Sequence, residues 1–142
     1  MKKILFFFVV LLTSVQMMAQ DVTDGRRYFS FLEESNSQSV IYVHSQRNFD
    51  DCLKSKVAIM TMFGANWSGP CKMIRPYFLS LPNKYPSIFI YVDTDECKEI
   101  ADNYKLKEVP TFILYKNGIE TNRMEGANKV KLNALLYNEI SL

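Results

Sequence analysis

The chain has 142 residues, with 17 lysines and arginines against 15 aspartates and glutamates and a single histidine. That length suits one domain with one core, and the near balance of charge, with no basic block, excludes nucleic acid as a partner. Three cysteines, Cys52, Cys71 and Cys97, leave at least one thiol unpaired within the chain. Their wide spacing, with His44 as the lone histidine, does not make a zinc site, and no metal is expected.

Residues 1–19 read as a secretory signal peptide. Lys2 and Lys3 form a basic head, Ile4 to Leu12 is an unbroken apolar run, and Thr13 to Ala19 is more polar and ends small, so cleavage is expected near Ala19 and Gln20. The apolar run is far shorter than the roughly 20 residues that span a bilayer. No other run is long enough either, so no membrane contact is expected once the signal is removed. Its removal takes two lysines and leaves 15 basic and 15 acidic residues, a neutral mature chain. The expected destination is the secretory pathway or another extracytoplasmic space: secreted, vacuolar or periplasmic. Residues 20–39 read as an appendage and linker. Within them, "DGRRYFSFLEES" suggests a helical piece begun by Asp24, with Phe29 and Leu32 on one side, and "SNSQS" reads as a linker.

A domain is expected over residues 40–142. "VIYV" is a short strand, and Ser45 can cap a helix through about Ser55 that turns Phe49 and Leu53 inward. "KVAIMTMF" is a strand buried on both faces. After the loop "ANWSGP" a helix is predicted to about Lys84, with Pro76 inside it as a source of a kink. "SIFIYVD" is a second buried strand, and Asp95 is expected to cap a helix to about Tyr104. "TFILYKNGIETNRME" is a hairpin turning at Asn117–Gly118. Asn128 caps a last helix, with Val130, Leu132, Leu135, Leu136 and Ile140 on its apolar side. The order β-α-β-α-β-α-β-β-α gives an α/β domain, a mixed sheet of about five strands covered on both faces.

The stretches "WSGPCKMIRPYFLSLPNKY", "VDTDECKEIADNYKLKEVPTFILYKNG" and "EGANKVKL" occur in the order and spacing of thioredoxins. From Val40 to its end the chain resembles that family, and more its eukaryotic cytosolic type than its bacterial one. Val109-Pro110-Thr111 matches the family's cis-proline turn. The resemblance implies a thioredoxin fold and the site of a protein-disulfide oxidoreductase. In that site the first thiol of Cys-x-x-Cys sits at a helix start, where unpaired backbone N–H groups and the positive helix end favour the thiolate. It attacks a substrate disulfide, and the second cysteine, one turn deeper, attacks in turn and releases the substrate. A buried aspartate on the preceding strand helps manage the second cysteine's proton.

This chain departs from the pattern twice. Ser68 stands where the attacking cysteine belongs, and an oxygen there cannot form a disulfide. Met62 stands where the buried aspartate belongs, and methionine carries no proton. Cys71, the residual thiol, matches the deeper cysteine and is expected to lie partly buried under Trp67, Ser68 and Pro110, where attack is slow. The resemblance assigns Trp67, Gly69, Pro70, Val109, Pro110, Gly126 and Ala127 to a flat face on which an extended peptide docks without needing a thiol. It also brings Cys52 and Cys97 onto helices covering one face of the sheet, so a bond between them is conceivable; the alternative is two small buried residues. Asp93, Asp95 and Glu96 read as a helix cap and solvated charge, not a metal cage.

Three functions remain open. The chain binds extended peptide or protein partners without dithiol–disulfide turnover; or it acts through Cys71 alone, by a mixed disulfide with a partner or with glutathione; or it keeps residual oxidoreductase activity through a cysteine elsewhere. None of the three calls for a cofactor.

Overall fold

A computed structural model describes residues 39–140. The expected signal peptide and the helical piece begun by Asp24 lie outside the described residues. Five strands, β1 (Ile41–Val43), β2 (Ile59–Gly64), β3 (Ile88–Asp93), β4 (Thr111–Lys116) and β5 (Ile119–Glu125), form one sheet in the order β1-β3-β2-β4-β5. β1 and β2 run parallel to β3, while β4 runs antiparallel to both β2 and β5. Four α-helices connect or follow them: α1 (Gln46–Leu53), α2 (Gly69–Ser80), α3 (Lys98–Asn103) and α4 (Lys129–Ile140). This is the predicted element order and the mixed five-stranded sheet of a thioredoxin fold.

Every residue of β2 is buried, because β2 sits in the middle of the sheet with layers on both sides. Period-two alternation then divides its side chains. Met60 and Met62 point to one face and pack with Ile74 and Phe78 of α2, Phe89, Phe112, and Leu132 and Leu136 of α4. Phe63 points to the other, where Phe49 of α1 meets Phe63, Tyr104 and Tyr115 with ring centroids 5.3 to 5.9 Å apart. Such edge-on aromatic packing adds specific geometry to plain burial.

The local signals explain most boundaries. Ser45 is extended, and its hydroxyl accepts the Asn48 N–H at 3.2 Å to start α1. Asn128 does the same for α4 through the Lys131 N–H at 3.0 Å. At the hairpin, Asn117 (φ 53°) and Gly118 (φ 76°) both take the left-handed conformation that a tight β4–β5 turn demands. Gly118 has a second constraint: a Cβ there would sit 2.7 Å from the Leu53 carbonyl at the end of α1. α2 runs through Pro76 to Ser80 and then tightens into a 3-10 turn at Leu81–Asn83, short of the expected end at Lys84.

The third helix corrects the sequence reading. It begins at Lys98 rather than after Asp95, and Cys97 at its N-cap makes no side-chain cap bond. The carboxylate that orders this turn is Asp93, the last residue of β3, which accepts the N–H groups of Asp95 at 2.9 Å and Glu96 at 3.4 Å. Asp93 is buried, so it is not solvated surface charge.

Candidate functional site

The chain leaves β2 at Gly64 and reaches α2 through Ala65, Asn66 and Trp67. Ser68 is extended (φ −76°, ψ 118°) and acts as the N-cap of α2. Its Oγ accepts the Cys71 N–H at 3.3 Å, its own N–H donates to the Ala65 carbonyl at 3.3 Å, and its carbonyl accepts from the Lys72 N–H at 3.0 Å. Ser68 is 4 % exposed, so the hydroxyl is spent inside the turn rather than offered to solvent. Gly69 and Pro70 occupy the first two helical positions, where a proline's missing N–H leaves no intrahelical bond unmade.

Cys71 has no exposed surface at all and belongs to the same core cluster as Met62, Ile74, Phe78 and Phe112. Of the residues expected over it, Ser68 and Pro110 are buried, while Trp67 is 70 % exposed. Met62 is fully buried between Tyr91 of β3 and Phe112 of β4 in the sheet register. No carboxylate stands at that position.

A polar network lies beside these residues that the sequence did not disclose. Arg75 of α2 donates through Nη2 to the Tyr91 hydroxyl and through Nη1 to Asn66 Oδ1 at 2.9 Å, and Asn66 Nδ2 donates to Asp93 Oδ2 at 3.1 Å. The guanidinium also lies 4.7 Å from the Tyr91 ring centroid. Burial pushes the Tyr91 phenol up to about 12; the Arg75 charge opposes that shift, and the Asp93 carboxylate and Cys71 add to it. The network ties the loop that carries Trp67 to β3 and to the middle of α2. No periodicity marks it, because its members come from a loop, a helix and a strand that meet only in the folded chain.

The second wall of the site is built by the β4 entry. The Val109–Pro110 peptide is cis, and Pro110 is buried while Val109 is half-buried. Thr111 Oγ1 donates to the Glu108 carbonyl at 2.6 Å, and the Gly126 N–H donates to the Pro110 carbonyl at 2.8 Å. Gly126 has φ +83°, a left-handed conformation that favours glycine. Ala127 packs against the core. Two large apolar side chains of the α2 entry, Trp67 and Met73, are each 70 % exposed.

Cys52 and Cys97 are both buried and free, so the conceivable bond between them is not formed. The Cys97 thiol turns instead to the Val43 carbonyl of β1 at 3.5 Å. Burial, reinforced by the Asp51 charge, pushes the Cys52 thiol up to about 11. His44 lies at the surface with Nδ1 3.3 Å from Glu96 Oε2. Among the described residues no three His, Cys, Asp or Glu side chains cluster to hold a metal ion, and no helix is long and apolar enough to cross a membrane.

Comparison with known proteins gives one answer from three directions. The thioredoxin family profile matches residues 40–138. Thioredoxin of Equus caballus is 39 % identical over 97 residues, 66 % of this chain and 92 % of that protein. Thioredoxin of Homo sapiens is 45 % identical over 79 residues, 55 % of this chain and 75 % of that protein. Among solved structures, Plasmodium falciparum thioredoxin superposes with a TM-score of 0.68 at 35 % identity, covering 70 % of this chain and 99 % of that one. The Nicotiana alata thioredoxin NaTrxh gives 0.68 at 31 % identity, covering 72 % and 93 %.

Proposed function

This chain belongs to the thioredoxin family, and from that premise we propose that it binds extended polypeptide partners on the face around Pro110 without dithiol–disulfide turnover. Thioredoxins are redox proteins that act on protein substrates, and the partner class is carried over from them. The observation that carries the change of activity is the bond from the Cys71 N–H to Ser68 Oγ. The oxygen at the attacking position has a structural job, and Cys71 beneath it has no neighbouring sulfur with which to exchange electrons.

Two further features support the reading. Met62 offers no group to move the proton of Cys71, and it fills its site as an ordinary core side chain. The docking surface is retained without the sulfur: Trp67 and Met73 remain exposed, and the Gly126 N–H is hydrogen-bonded across the hairpin to the Pro110 carbonyl. Complete burial of Cys71 favours docking over covalent capture of glutathione or a partner. The basic head and apolar run of residues 1–19 support an exported protein working outside the cytosol.

The test is insulin-disulfide reduction with NADPH and a thioredoxin reductase, run beside a pull-down with and without reductant. The expected result is no catalytic NADPH consumption and partners retained in both conditions. Steady turnover overturns the reading. Partners released by reductant favour covalent capture through Cys71, and a Cys71-dependent glutathione adduct in the intact mass would support it.

A further inference from the structure

The docking ledge carries a charge that nothing in the fold requires. Glu108 lies two residues before Pro110, and its backbone is fixed by the bond that Thr111 Oγ1 donates to its carbonyl. Its side chain leans over the ledge: Oε1 lies 3.6 Å from where a Cβ on Gly126 would sit. The residue is exposed, and no cation pairs with it among the described residues. Glu125, immediately before Gly126, is exposed and adds a second negative charge nearby. The one cation of β5, Arg123, is committed elsewhere, to Glu120 at 2.8 Å and to the Tyr104 carbonyl at 3.0 and 3.1 Å.

A peptide main chain laid along Pro110 and Gly126 would strip water from the Glu108 carboxylate. Desolvating a charge costs free energy unless a partner charge replaces the water. An acidic side chain at that place is repelled, a neutral one leaves the cost unmet, and a basic one offsets it, so the ledge discriminates by charge as well as by shape. We propose that Glu108 sets this preference, so that the partner is an extended segment presenting a lysine or arginine beside the residue seated on Pro110 and Gly126. The inference rests on the docking reading above and names the chemistry of its partner.

The experiment uses short cysteine-free peptides of one apolar and serine background, in which Lys, Gln or Glu is moved through each position. Binding is measured by fluorescence anisotropy to the full chain, to Glu108→Gln, to Glu108→Lys and to Glu99→Lys. The last makes the same change of net charge on α3, away from the ledge. For the wild type, Lys at one position should bind about fivefold more tightly than Gln there, the upper range for an exposed ion pair, and high salt should erase the difference. Glu108→Gln should remove the preference, Glu108→Lys should invert it towards Glu at that position, and Glu99→Lys should keep it. Wild-type binding with no charge preference, or a preference that survives both Glu108 variants, overturns the inference and leaves docking standing. Absence of binding to every peptide overturns docking and the inference together.

Discussion

Ser68 Oγ accepts the backbone N–H of Cys71 at 3.3 Å, so the Ser68 hydroxyl caps the helix that carries the Cys71 thiol. Serine is among the best N-cap residues, because its hydroxyl satisfies one of the donors left over at a helix start. A thiol accepts hydrogen bonds only weakly. Ser68→Ala should therefore lower the unfolding free energy by about 1 kcal/mol, read from urea denaturation with an unchanged slope. Ser68→Cys should lose a similar or smaller amount. No loss in the alanine variant would mean that the cap contributes nothing.

The same position decides chemistry. Ser68→Cys makes a Cys-Gly-Pro-Cys loop at a helix start and, on the proposed reading, should bring partial insulin-disulfide turnover where none is expected of the wild type. Ser68→Cys with Met62→Asp should bring more. An aspartate at 62, surrounded by Tyr91, Phe112 and the rest of the core, would be held protonated well above its ordinary range by burial. It would then be able to exchange a proton near neutral pH. That double variant should also be the less stable of the two, because a buried polar group replaces a packed thioether. Equal turnover in single and double variants would show that Met62 does not limit exchange at this site.

How much of this was legible in the sequence depended on the range of the interaction. The strands and their order were readable because unbroken runs such as that of β2 need two covering layers, and Asn117–Gly118 permits only a tight turn. Ser45 and Asn128 were readable as caps because a cap acts over three residues. The α3 turn was misread for a related reason. Asp93 and Asp95 both stand where an acid can organise a turn, and only the buried end of β3 selects Asp93, through its contact with Asn66. The cover of Cys71 and the Arg75–Tyr91 contact depend on how separate elements approach. No spacing within one element reports either of them.

Thr61 lies in the middle of β2, opposite Ile90 and Ile113, with no exposed surface. Its hydroxyl has no hydrogen-bond partner among the described residues. A buried unsatisfied hydroxyl costs free energy that a methyl group of nearly the same shape does not. Thr61→Val should raise stability by about 1 kcal/mol, with the fold and the Trp67 environment unchanged. A destabilised variant would show that the hydroxyl is satisfied in solution, by water or by backbone.

Alkaline pH should unfold the protein through its buried thiol and phenols. Burial, then the Asp51 charge, lifts Cys52 from 9.0 to about 11, burial lifts Tyr91 to about 12, and Tyr104 and Tyr115 also rise through burial. For each group the folded state holds its proton more tightly than the unfolded state does. Below pH 9 both states keep the Cys52 proton, and its contribution to stability is complete. Between 9 and 11 the unfolded chain releases the proton first and stability falls; above 11 the contribution is gone. A shift of that size is worth roughly 2 to 3 kcal/mol at most. Urea unfolding of the wild type should therefore weaken steadily across this window. Cys52→Ala should pay a constant packing cost but show a shallower decline, since it has no thiol to titrate. Cys97, also raised by burial, remains in both proteins, so parallel pH profiles would assign the alkaline loss to Cys97 and the tyrosines.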